Sequence, residues 1–162
     1  MLPVTADQMQ APFDPGISRD GNLELRLADF TPHPAHKSPS YYFRMVDSGT
    51  GEELGTINLR IETTPHIERH GGHIGYAVYP AHRGRRYAAR SVRLLIPLAE
   101  RLAIDPVWIT CDPENLASRR TLGLAGAESV EIVDVPKDCI IHQRGHPRKC
   151  RYRLRVGAPQ AR

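Results

Sequence analysis

Aromatic residues make up only 6% of the 162-residue chain, with one Trp and three Phe. Platforms that stack successive nucleic-acid bases need a supply of exposed aromatic rings, so that class of function is disfavoured. Cysteine is scarce as well. Cys111, Cys139 and Cys150 are too few, and odd in number, for a disulfide framework, which agrees with a reducing compartment. No stretch approaches the roughly 18 uninterrupted apolar residues of a membrane span, and MLPVTADQMQAPFDPG at the start has no basic cluster leading into an apolar run. A cytoplasmic protein without a membrane partner is expected. The signatures GxxxxGK(S/T) and GxGxxG are also missing, which removes the usual mark of nucleoside-triphosphate hydrolysis and of dinucleotide binding.

What the chain does have is the composition of one folded domain, 40% hydrophobic and 25% charged. Its formal net charge of +4 suits a nucleic acid, an anionic surface or a phosphorylated small ligand, and does not choose among them. Residues 1–21, with Pro3, Pro12, Pro15 and Gly16, read as an arm that is disordered or laid across the surface. Residues 22–157 form the domain and 158–162 a tail. Leu23, Leu25 and Leu27 alternate as in a half-buried strand, and TPHPAHKSPS holds too many prolines for a helix and reads as a loop. Tyr41 to Val46 and Leu54 to Ile61 read as a hairpin turned through DSGTG. In its second strand Thr56, Asn58 and Arg60 share the face opposite Ile57, Leu59 and Ile61.

His73 to Tyr79 reads as a fourth strand, stopped by Pro80. From Tyr87 to Ala103 the apolar residues take helical spacing, with Pro97 expected to kink the helix. Val107 to Cys111 is a short strand. Asp112 and Pro113 look like a helix start, and Gly126 like its left-handed end. Val130 to Val135 and Cys150 to Val156 make the closing strands. The order predicts an α/β protein built on a mixed sheet with helices on its faces.

The informative stretch is HIGYAVYPAHRGRRYAARSVRLL. A strand ends at a proline, a loop rich in Arg and Gly follows, and a helix begins at once. Free amides at that helix start, aided by its dipole, make a phosphate or pyrophosphate site, to which Arg83, Arg85 and Arg86 add charged donors. The stretch resembles the acetyl-coenzyme A loop of the GCN5-related N-acetyltransferases, which reads Gln or Arg, two residues, Gly, one residue, Gly or Ala. Arg83 and Ala88 occupy its ends, and Arg86 stands where the central Gly belongs. ITCDPENLASRRTLGLAGA resembles the strand and helix that complete the cofactor cleft in that family, with Asn115 and Ser118 at its characteristic Asn and Ser.

The resemblance covers about residues 40–156 and implies the acyl-CoA N-acyltransferase fold. The helices that family members carry between their first two strands have no room here. That leaves the acceptor side open, or completed by the arm or by a second subunit of a homodimer. The implied activity is transfer of the acetyl group of acetyl-CoA to a primary amine. Tyr76, Val78, Arg83, Gly84, Arg85, Arg86, Tyr87, Ala88, Asn115 and Ser118 are the implied cofactor contacts, with the Val78 amide polarising the thioester carbonyl. His73, at the start of the same strand, is the implied general base. By alternation Tyr76 lies on the opposite face from His73, so only one of the two enters the cleft. Leu122 occupies the position where many relatives place an acidic Tyr. Asn58 and Arg60 are candidates for the acceptor side, Arg60 for a carboxylate or phosphate.

Two other readings stand beside this one. A non-catalytic acyl-CoA-binding protein of the same fold keeps the cleft without turnover. A basic nucleic-acid module stabilised by zinc would use Cys139, His142, His146 and Cys150, whose spacing is not that of a common zinc finger, with Arg144, Arg148, Lys149, Arg151, Arg153 and Arg155 around it.

Overall fold

The structure is a computed structural model that describes residues 10–157. The first nine residues of the expected arm and the 158–162 tail lie outside that range. Among the described residues eight strands and three α-helices follow in order: β1 Ser18–Asp20, β2 Leu23–Pro32, β3 Pro39–Asp47, β4 Glu53–Arg60, β5 Ile74–Val78, α1 Tyr87–Arg101, β6 Val107–Cys111, α2 Leu116–Leu124, β7 Glu128–Asp134, α3 Ile140–Gln143 and β8 Arg148–Leu154. β1 to β5 form one antiparallel sheet in sequence order, and a second sheet runs β6-β8-β7. The α/β class is as the sequence order predicted, but in place of one mixed sheet there are two, and every pairing in both is antiparallel.

Alternation places Leu23 and Leu25 fully inside, but Leu27 is exposed because the ladder to β3 shifts register between Leu27 and Asp29. The proline-rich loop is shorter than its composition implies. Thr31 and Pro32 extend β2, Pro39 and Ser40 begin β3, and only residues 33–38 turn the chain, since proline is tolerated at strand ends. No helix intervenes there. The arm also contributes more than expected. Residues 18–20 pair with β2, and Phe13 exchanges hydrogen bonds with the Tyr41 hydroxyl while the Arg101 guanidinium lies 3.8 Å from its ring centre.

The face of α1 that carries Val92, Leu95, Ile96 and Ala99 is buried with Leu25, Phe43, Ile57, Leu59, Ile109 and Leu122 in one core. Each such Leu or Ile contributes about 1.5–3 kcal/mol. Pro97 falls on the exposed side of the helix, which continues through it to Arg101. α2 starts three residues later than Asp112 and Pro113 predicted. Its cap is Asn115, whose Oδ1 accepts the Ser118 amide at 3.1 Å. Asp112 is taken by other partners, and Gly126 turns out of the helix at φ 88° as expected.

The two sheets touch at one corner. The His73 N–H donates to Trp108 O at 2.6 Å, and the Trp108 N–H donates to His73 Nδ1 at 2.9 Å. Gly72, at φ 71°, allows this approach: a Cβ there would lie 3.0 Å from both Trp108 O and Thr110 N. Past this corner no strand pairing joins β5 to β6, and the gap between them opens as a V.

Candidate functional site

The V holds a cleft of about 630 Å³, within the range of small-molecule sites. Register decides what β5 offers it. The Arg60 N–H donates to His73 O and the Tyr79 N–H to Leu54 O, so odd-numbered residues here turn their peptide groups toward β4. Ile74, Tyr76 and Val78 therefore turn theirs to the opposite, unpaired edge. In agreement, Val78 O accepts Arg83 Nε at 3.1 Å from that side.

At the far end of the cleft α1 begins. Its first intrahelical bond runs from the Arg90 N–H to Arg86 O, and no side chain caps the amides before it. The positive end of a fifteen-residue helix thus faces the cleft with donors to spare. Gly84, Arg86, Tyr87 and Ala88 line this end beside Arg83, while Asn115 and Ser118 line the opposite wall from α2. Arg85 does not line it; its charge acts on Asp47 instead.

Alternation is resolved in favour of Tyr76. Its hydroxyl enters the cleft, 2.6 Å from Ser118 Oγ, and burial pushes its pKa up to about 12. His73 is fully buried outside the cleft. With Nδ1 accepting from the Trp108 amide, Nε2 carries the proton and donates to Thr63 Oγ1 at 2.9 Å. Burial and then the Arg60 charge pull its pKa down to about 4. Both ring nitrogens are engaged, which leaves no lone pair for an ammonium; its place is the pin where the sheets meet. Leu122 is core.

A second cavity of about 230 Å³ adjoins the first and shares Ile74, Gly75, Thr110, His146 and Lys149 with it. At this junction His146 Nδ1 lies 2.6 Å from Asp112 Oδ2, and Lys149 Nζ 2.9 Å from Asp112 Oδ1. Burial raises the Asp112 pKa, but hydrogen bonds and charge from Lys149 and His146 outweigh it, leaving a net decrease. The remaining wall comes from the 33–36 turn and from Ile140 and Ile141 of α3. Arg60 lines this cavity; Asn58 lines neither.

The four candidate zinc ligands do not converge. Cys150 is buried in β8 opposite Cys111, Cys139 lies 3.8 Å from His66, and His146 is taken by Asp112. No group of three or more metal-ligating side chains occurs among the described residues. The basic run is largely paired off: Arg151 with Glu131, Arg153 with Glu128, Arg148 with Glu114 and Lys149 with Asp112. Nor is any helix among the described residues long and apolar enough to cross a membrane.

Residues 4–128 match the family model described as "Acetyltransferase (GNAT) domain". The chain belongs to the GNAT acetyltransferase family. No curated protein matches it. Among solved structures, a GNAT neighbour is the ribosomal-protein-S5-alanine acetyltransferase from Vibrio fischeri, at 15% identity and TM-score 0.64, covering 90% of this chain and 99% of that one. RimL, a ribosomal L7/L12 α-N-protein acetyltransferase in complex with coenzyme A, matches at 14% identity and TM-score 0.64 over 89% of this chain and 100% of its own. The microcin C7 self-immunity acetyltransferase MccE, in complex with acetyl-CoA and AMP, matches at 14% and TM-score 0.55 over 72% and 61%. At these identities the likeness is one of fold.

The departure from the GNAT loop pattern has a backbone explanation. Arg86 adopts φ 62° and ψ 21°, the left-handed conformation that glycine takes without cost. The glycine geometry is therefore kept with an arginine in it. Arg86→Gly is expected to be more stable than Arg86→Ala by about 1 kcal/mol in urea unfolding; equal values would show that no strain is held there.

Proposed function

We propose that this GNAT domain transfers the acetyl group of acetyl-CoA directly to a primary amine. The observation that carries the reading is the unpaired β5 edge, with the Tyr76 and Val78 peptide groups facing a cleft that ends on the uncapped start of α1. Acetyl-CoA, when bound, supplies an activated thioester. A strand edge suits the extended, amide-bearing arm of coenzyme A, and free helix amides with Arg83 and Arg86 suit its diphosphate. The Val78 N–H is the donor for the thioester carbonyl. Tyr76, protonated throughout the physiological range, offers its hydroxyl hydrogen to the departing sulfur rather than surrendering the proton outright.

His146 takes the role of base. Its Nδ1–H donates to the Asp112 carboxylate, which fixes the tautomer and leaves Nε2 free at the junction of the two cavities. Lys149 holds the other carboxylate oxygen. Cys111 lines the cleft, but burial pushes its thiol up to about 11, so little thiolate is present to take the acetyl group covalently. Direct transfer follows.

The test is calorimetric titration with acetyl-CoA and with desulfo-coenzyme A, followed by thiol release in the presence of amines. One site per chain is expected, and Arg83→Glu is expected to weaken it by about 10- to 100-fold through charge reversal. Binding without thiol release would favour the non-catalytic acyl-CoA-binding protein. Unaltered affinity in Arg83→Glu would mean that the diphosphate lies elsewhere.

A further inference from the structure

The second cavity is built for negative charge. Arg60, Arg144 and Lys149 line it together with four histidines, and no carboxylate does. Lys149 already has Asp112 as its counterion. Arg60 has none among the described residues: only 5% of the residue is exposed, and its Nη1 donates to the neutral Gly71 O and Gly72 O at 2.9 and 2.8 Å, while His33, whose Nδ1 accepts the Ala35 and His36 amides and whose Nε2 therefore carries the ring proton, lies 3.4 Å from Nη2 without accepting from it. Its Nε–H has no partner. A buried guanidinium without a counter-charge is costly, and here the residue that carries it lines a cavity.

Other polar groups on the same sheet face also lack partners. Strand register sets Tyr42 of β3 opposite Asn58 of β4, and Asn58 opposite Gly75 of β5, on the face that carries Arg60 two residues on. Tyr42 Oη and Asn58 Oδ1 are also buried without partners. Gly75 borders both cavities, and a Cβ there would fall 2.7 Å from Arg60 Nη2. The glycine thus leaves the guanidinium its room. Two of the five Arg donors, Nε–H and the neighbouring Nη2–H, form the side-on fork that a carboxylate or phosphate grips with parallel bonds.

The structure assigns the second cavity to the acceptor's acidic group: the amine that is acetylated belongs to a molecule that also carries a carboxylate or phosphate, held by Arg60. This rests on the acetyltransferase reading above. The amine then lies toward the junction, where His146 stands, and the acid lies deeper in the cavity. A neutral amine of the same size leaves the Arg60 charge uncompensated.

Thiol release from acetyl-CoA is measured with glycine against glycinamide and with phosphoethanolamine against ethanolamine. The acid-bearing member of at least one pair is expected to show about 30-fold higher kcat/KM, and the pair that does so separates carboxylate from phosphate. Arg60→Lys keeps a charge but loses the fork, and is expected to cut that preference by about 10-fold with desulfo-coenzyme A affinity unchanged. Equal or better rates for the neutral member of both pairs overturn the proposal and leave the acetyltransferase reading standing. With no turnover of any of the four, phosphate and succinate are compared by melting temperature at equal ionic strength. A rise in wild type that is lost in Arg60→Lys supports the anion seat, and its absence overturns it. Failure to bind desulfo-coenzyme A would instead strike the earlier reading.

Discussion

His146→Ala is expected to lower kcat for acetyl transfer by about 10²- to 10³-fold, the usual worth of a positioned base, while the affinity for desulfo-coenzyme A stays within twofold. His146 lines the junction of the two cavities from the loop before β8 and makes no ladder bond of either sheet, so the cleft survives its removal. Asp112→Asn separates position from charge. The amide fills the same space, but it no longer holds Nδ1–H as a carboxylate does and no longer neutralises Lys149. A loss approaching that of His146→Ala is expected. Unchanged kcat in both variants would remove His146 from the chemistry and leave deprotonation to solvent.

The contrast between His146 and His73 shows what a sequence carries and what it hides. The strand, loop and helix from Ile74 to Arg101 are legible because each stop and start is local: alternation, then Pro80, then helical spacing. The Asn115 cap is local too, since its partner amide lies three residues on, yet the helix start was read at Asp112. Nothing local marks His73 as a pin, because its partner Trp108 is 35 residues away and enters through a different sheet. Asp112 followed by Pro113 is as good a cap pattern as Asn115. It loses the role because His146, 34 residues downstream, and Lys149 claim the carboxylate. The second cavity was half visible. Arg60 on the polar face of β4 was a signal, but its lack of a counterion emerges only when burial and hydrogen-bond partners are known. The 33–36 turn and α3, which wall that cavity, carry no periodic pattern to read.

His73 gives the other large effect, and it falls on stability. His73→Ala removes the acceptor of the buried Trp108 amide and leaves a void at the corner of the V, at an expected cost of about 2–4 kcal/mol near pH 7. Acid should act on the same bond. In the folded protein the ring stays neutral down to about pH 4, whereas in the unfolded chain it titrates near 6.5. Between these values the unfolded state binds a proton that the folded state refuses. Stability from this group is therefore complete above about pH 6.5, is lost as pH falls toward 4, and changes no further below, a total of about 3 kcal/mol. His33, held at about 4 chiefly by burial, works in the same direction. The paired carboxylates Asp47, Asp112 and Glu128, whose pKa values are lowered, lose their share at lower pH. His73→Asn keeps an oxygen in place of Nδ1 but cannot titrate. Urea unfolding of this variant between pH 7.5 and 4.5 should show a slope smaller than wild type by close to one proton, with desulfo-coenzyme A binding retained at pH 7.5. An identical slope would mean that water reaches the ring and that the corner is looser than its hydrogen bonds imply. Loss of binding together with an unchanged slope would place His73 in the cleft after all.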